Sequence, residues 1–117
     1  MNILSEVKEL LESLNIPIET GVFSSDAPDT YIVLVPLADT YPLNADDMPQ
    51  VDHQELRINL FTKGNYLRLK NSISGRLITH GFYLTDRRYG GYDTGTGYHQ
   101  YTIDTAKNYE VDIEEDN

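Results

Sequence analysis

Residues 31–37, YIVLVPL, form an unbroken β-branched and apolar run, and such a run calls for a strand buried on both faces of a sheet. Pro36 has no backbone N–H to give to a neighbouring strand, so the ladder is expected to be interrupted there. A second strand signal is the alternation in residues 53–62, HQELRINLFT. Leu56, Ile58 and Leu60 fall on one face and Glu55, Arg57 and Asn59 on the other, the pattern of a half-buried strand. A chain of 117 residues has room for one hydrophobic core and not two, and an apolar fraction of 39 % keeps that core modest.

Helical periodicity appears twice. Ile3, Leu4, Val7, Leu10, Leu11 and Leu14 share one face, with Glu6, Lys8, Glu9 and Glu12 opposite, and Asn15 and Pro17 close the segment. The second helix runs from the capping residue Asn65 to His80, with Gly81 placed to end it in a left-handed conformation. Its apolar stripe is Tyr66, Leu69, Ile73 and Leu77, so Arg68, Lys70 and Arg76 are expected off that stripe. Further strands are expected at residues 18–23, 82–88 and 98–105, the last two joined by the glycine-rich turn YGGYDTGTG. Residues 38–52 carry two prolines and four aspartates without periodicity and read as a long loop. Residues 110–117 read as a frayed acidic tail. The order α-β-β-β-α-β-β implies a single α+β domain over residues 1–117, a small, mostly antiparallel sheet of about five strands packed against two helices.

Charge is distributed unevenly. Residues 57–88 hold seven bases (Arg57, Lys63, Arg68, Lys70, Arg76, Arg87 and Arg88) against one acid, Asp86, a net of +6, while the rest of the chain holds two bases and eighteen acids, a net of −16. The total of −10 repels phosphate and argues against nonspecific binding to nucleic acid. A bipolar chain can instead pair its basic part with the acidic part of another copy, which favours a head-to-tail ring or stack. Six of the nine tyrosines (Tyr83, Tyr89, Tyr92, Tyr98, Tyr101 and Tyr109) cluster in the final hairpin and its exit, and tyrosine is enriched at protein interfaces.

The chemistry of catalysis finds little footing. With no cysteine there is neither a disulfide, a thiolate metal site nor a cysteine nucleophile, which suits a cytoplasmic product. Gly90, Gly91, Gly95 and Gly97 lead into a strand, whereas a phosphate-binding loop leads into a helix N-terminus. Asp46, Asp47, Asp52, His53 and Glu55 lack the spacing of a calcium loop or a two-histidine zinc site. No nucleophile elbow surrounds any serine. Residues 1–8 lack the basic start and apolar run of a secretory signal, and no apolar segment approaches the ~20 residues needed to span a bilayer, so neither secretion nor membrane insertion is expected.

The leading helix, YIVLVPL, the strand ELRINLFTK, the helix NYLRLKNSISGRLITHG and the close FYLTDRRYGGYDTGTGYHQYTIDT together resemble the tail-completion proteins of long-tailed double-stranded DNA phages, also called tail-terminator or tail-to-head joining proteins. The resemblance covers nearly the whole chain. It implies a non-enzymatic virion or prophage protein without a cofactor, made in the host cytoplasm and resident at the head-proximal end of the tail. It further implies assembly into a ring, expected to be a hexamer, that caps the tail-tube protein and offers a surface to head-tail connector proteins. DNA would pass through without being specifically bound, and an acidic lumen would suit that passage. On this reading Arg57, Lys63, Arg68, Lys70, Arg76, Arg87, Arg88, Asp46, Asp47, Tyr89, Tyr92 and Asp93 are the candidate subunit or partner contacts. Arg68, Lys70 and Arg76 would meet acids of a neighbouring subunit, and the 39–52 loop and the 90–97 turn would meet tube or connector.

Two rival readings belong to other classes. An acidic DNA mimic would inhibit a basic host or phage protein, but its carboxylates should form one continuous face, which residues 57–88 interrupt in sequence. A small enzyme would use His53 as a general base beside the 38–52 loop.

Overall fold

The computed structural model describes residues 2–22, 26–42, 44–45 and 48–111. Helix α1 (Ile3–Leu11) starts where the Asn2 side chain accepts the Ser5 N–H, and it ends through a short 3-10 turn, Glu12–Leu14, at Asn15, whose φ of 56° is left-handed. Strands β1 (Ile18–Thr20), β2 (Thr30–Thr40), β3 (Asn44–Ala45), β4 (Met48–Pro49) and β5 (Asp52–Thr62) follow, then helix α2 (Tyr66–Thr79) and the hairpin of β6 (Tyr83–Tyr92) and β7 (His99–Tyr109). Five strands form one sheet in the order β1-β2-β5-β7-β6, with β1 parallel to β2 and every other pair antiparallel. The chain is an α+β domain of a five-stranded, mostly antiparallel sheet and two helices.

Both helices lie on one face of the sheet. Ile32 and Leu34 of β2, Leu56, Ile58 and Leu60 of β5, and Tyr101 and Ile103 of β7 point toward them and pack with Ile3, Val7, Leu11, Ile73, Leu77 and Phe82. Strand parity then sends Tyr31, Val33, Arg57, Asn59, Phe61, Gln100, Thr102 and Asp104 to the opposite face, which neither helix covers. Buried Gln54 ties α1 to the sheet, since its Oε1 accepts the Ile3 N–H at 2.7 Å and its Nε2 donates to Asp52 at 2.8 Å. Asn65 caps α2 by accepting the Arg68 N–H, and Gly81 ends it with a φ of 84°, as the sequence signals require. Asn65→Ala should cost about 1 kcal/mol, the usual worth of such a cap, read as a lower urea midpoint at unchanged slope.

Several expected boundaries shift. Strand β2 does not stop at Pro36; the ladder with β5 runs on to Thr40 through an irregularity between Pro36 and Ala38. Among the described residues β1 pairs only as far as Leu34, so Pro36 has no strand of theirs on that side, where a residue without an N–H is tolerated. The 38–52 loop is correspondingly shorter and contains the small β3–β4 ladder. The 18–23 strand ends at Thr20, and Phe23 lies outside the described residues, as do Asp46, Asp47 and residues 112–117 of the acidic tail. The hairpin strands are longer than their apolar pattern, and β7 continues to Tyr109, so Glu110 is the first residue beyond the sheet.

The end of β7 is anchored to α1. Lys107 Nζ donates to Glu6 Oε2 at 2.6 Å and the Tyr109 hydroxyl donates to Oε1 at 2.8 Å. Burial raises the Glu6 pKa, but the hydrogen bonds from Lys107 and Tyr109 and the Lys107 charge outweigh it and hold the carboxyl below its ordinary value of 4.5. A carboxyl with a depressed folded pKa stabilises the fold above the unfolded value, and that stabilisation is lost as pH falls through the folded one. Glu6→Gln should therefore lower stability at neutral pH and flatten its decline in acid, as followed by urea midpoints across a pH series.

Candidate interaction surfaces

The uncovered face carries a cluster of opposite charges built by strand register. Arg57 of β5 lies opposite Asp104 of β7, and Asp104 opposite Asp86 of β6. Arg57 Nε and Nη2 donate to the two Asp104 oxygens at 2.9 and 3.0 Å, a bidentate pair. Arg88 pairs with Asp86 and stands 3.7 Å from Asp104. The hydrogen bond to Asp104, and then its charge, raise the Arg57 pKa above its ordinary value. Arg57 and Arg88, both candidate subunit or partner contacts, thus each meet a carboxylate of their own subunit.

The basic residues of α2 divide. Arg76 donates to Ser13 Oγ next to α1, and Lys70 Nζ sits 5.1 Å above the Tyr101 ring. Arg68 is exposed, with no side-chain partner among the described residues, and Arg87 on β6 is in the same position. Lys63 lies 3.6 Å from Asp29 and 4.9 Å over the Tyr98 ring.

Tyrosines flank the hairpin on both faces. On the helix side Tyr66 packs against Tyr89 with ring centroids 4.8 Å apart and against His99 at 5.1 Å, and the Tyr89 hydroxyl shares a 2.8 Å hydrogen bond with His99 Nδ1. Tyr83, Tyr89 and Tyr92 are 60 %, 45 % and 54 % exposed along β6, whose outer edge has no partner strand among the described residues. Bulges between Leu84 and Asp86 and between Tyr89 and Gly91 break that edge, and they and its charges discourage promiscuous strand addition.

The hairpin end of the uncovered face holds an open cleft of about 590 Å³ lined by Tyr31, Phe61, Gly90, Gly91, Tyr92, Asp93, Thr94, Thr96, Tyr98 and Gln100. Tyr31 and Phe61, directly opposite in register, stack at 4.7 Å, and the Tyr98 ring stands nearly perpendicular to both, 5.5 and 6.5 Å away. The Tyr98 hydroxyl donates to the carbonyls of Pro28 and Ala27, which fixes the ring. Asp93 closes the turn, its backbone bonded to Tyr98 and Gly97 and its Oδ1 accepting the Gly95 N–H at 2.9 Å. Tyr92 and Asp93 are therefore the candidate residues that the fold gathers at one recess. Phe61, Tyr31 and Gln100 were not among them, and their only sequence signal is their off-core parity.

His53 Nδ1 hydrogen-bonds Asn108 at 2.7 Å and its Nε2 lies 3.7 Å from Glu55, with no hydroxyl bonded to either nitrogen among the described residues. Among the described residues no group of three or more His, Asp or Glu side chains is placed to hold a metal ion, and no helix is long and apolar enough to cross a membrane.

No family model and no curated protein matches the chain. Solved structures do match. One of them superposes with a TM-score of 0.52 at 15 % identity, covering 92 % of this chain and 89 % of the other. At that identity the likeness bears on the fold alone, a sheet-and-helix architecture shared over nearly the full length of both chains.

Proposed function

We propose that this chain is a structural subunit of a phage or prophage tail, a tail-completion protein that forms a ring, caps the tail tube and joins it to the head connector. The observation that carries the reading is the hairpin: β6 presents an edge that no strand pairs among the described residues, with three exposed tyrosines, a large contact area with polar tips of the kind partner surfaces use. The net charge of −10 supports it, because a ring that DNA must pass through has to repel phosphate. An acidic DNA mimic receives less support, since the Asp86 and Asp104 carboxylates of the uncovered face each contact arginine.

Light scattering across protein concentration and salt tests the ring. A discrete mass at an integer multiple of the 13.3 kDa subunit, shrinking as salt rises, is expected. Added to polymerising tail-tube protein, the chain should stop tube growth. A monomer at every concentration that leaves tube length unchanged overturns the proposal.

A further inference from the structure

The cleft at the hairpin end has a composition that selects a ligand. Four of its lining residues are aromatic, one is the carboxylate Asp93, and the remainder are glycine, threonine and glutamine, so it holds an acid and no base. Aromatic faces attract cations, and a guanidinium is planar, weakly hydrated and able to stack where an ammonium keeps its water. The Tyr98 ring already holds one cation, Lys63 Nζ at 4.9 Å, yet Lys63 is not part of the cleft lining. Asp93 uses Oδ1 for the Gly95 N–H, and its Oδ2 has no partner among the described residues. At Gly90 an added Cβ would come within 3.1 Å of the Gln100 side chain, so glycine keeps this wall clear. The volume of about 590 Å³ falls within the roughly 300–1,000 Å³ of ligand-binding recesses, enough for a long side chain with its flanking backbone.

We propose that this cleft receives an arginine side chain from a second copy of the chain, and that Arg87 supplies it. Arg57, Arg76 and Arg88 are engaged within the subunit, whereas Arg68 and Arg87 are exposed without a side-chain partner among the described residues, and of these two Arg87 is the one on β6, the edge strand of the sheet. Arg87 stands opposite Ile103 on the helix side of β6, while Phe61 and Gln100 place the cleft on the other face. An Arg87 side chain therefore points away from its own cleft and serves only another subunit's. Tyr89, opposite Tyr101, lies on the same face of β6 as Arg87 and supplies apolar contact beside it, the aromatic and arginine combination typical of interface hot spots. The inference rests on the ring reading above and names its contact.

Two measurements test it. Sedimentation of the parent, Arg87→Gln, Asp93→Asn and the double variant should show association weakened about tenfold or more by each single change, with the double no worse than either alone. Asp93→Asn keeps the Oδ1 acceptor for Gly95, so the turn survives and circular dichroism should match the parent. N-acetyl-arginine amide, titrated into the Arg87→Gln protein, should shift the Thr94 and Thr96 amide resonances saturably, and the uncharged N-acetyl-citrulline amide should not. Full association in both single variants, or equal response to the two amides, overturns the arginine contact and leaves the ring standing. A parent that never associates overturns the second-copy donor, and the ring falls with it when tube growth is also unaffected.

Discussion

Ile58→Ala should destabilise the domain by about 3–4 kcal/mol, within the range found when a buried isoleucine is cut to alanine. Ile58 is fully buried at the middle of the central strand, opposite Leu34 on one side and Ile103 on the other. Strands hydrogen-bonded on both edges cannot move inward to fill the void, so most of the lost volume remains as a cavity. For a domain whose total stability is about 5–15 kcal/mol, this is a large fraction. Urea denaturation should show a much lower midpoint at unchanged slope, and Ile58→Val should cost only about 1 kcal/mol. A loss below about 1 kcal/mol for the alanine variant would mean that the strand order is wrong, because a surface position behaves that way.

Arg57→Ala should cost about 2–3 kcal/mol. It strips the bidentate partner from Asp104, whose side chain is only 11 % exposed and cannot regain a full shell of water. Arg88, 3.7 Å from the same carboxylate, softens the loss and keeps the value below that of an isolated buried ion. Replacing both partners, as Arg57→Leu with Asp104→Leu, should recover most of the stability because no charge is then stranded. Thermal and urea unfolding of the single and double variants decide the matter: a double variant as weak as the sum of its singles sinks this account.

The same pair shows where the sequence stops being informative. Arg57 and Asp104 are forty-seven residues apart, and their contact exists because β5 and β7 meet in one register. A shift of one residue would send Arg57 into the core and Ile58 to the open face, so the hydrophobic alternation enforces the pairing without naming the partner. Charge counting alone makes Arg57 and Arg88 candidate subunit or partner contacts, since it sees the sign of a side chain and not the carboxylate beside it. Pro36 was misjudged for a related reason: whether a strand tolerates a missing N–H depends on whether a neighbour occupies that side, and β1 ends before it.

The helices, by contrast, are written locally. Ile3, Val7 and Leu11, then Ile73 and Leu77, follow the helical period, while Asn65 and Gly81 act on backbone groups within four residues of themselves. The alternation of residues 53–62 likewise declares one buried face from neighbours two residues apart. These signals are satisfied inside one turn or one pleat, so composition and order suffice to read them. The cleft is the opposite case: Tyr31, Phe61 and Tyr98 come from three separate strands and connections, and each looks like an ordinary off-core aromatic in its own run. Only the packed sheet makes them neighbours, because a recess belongs to register and strand order, which are set by the collective burial of the core and by no segment alone.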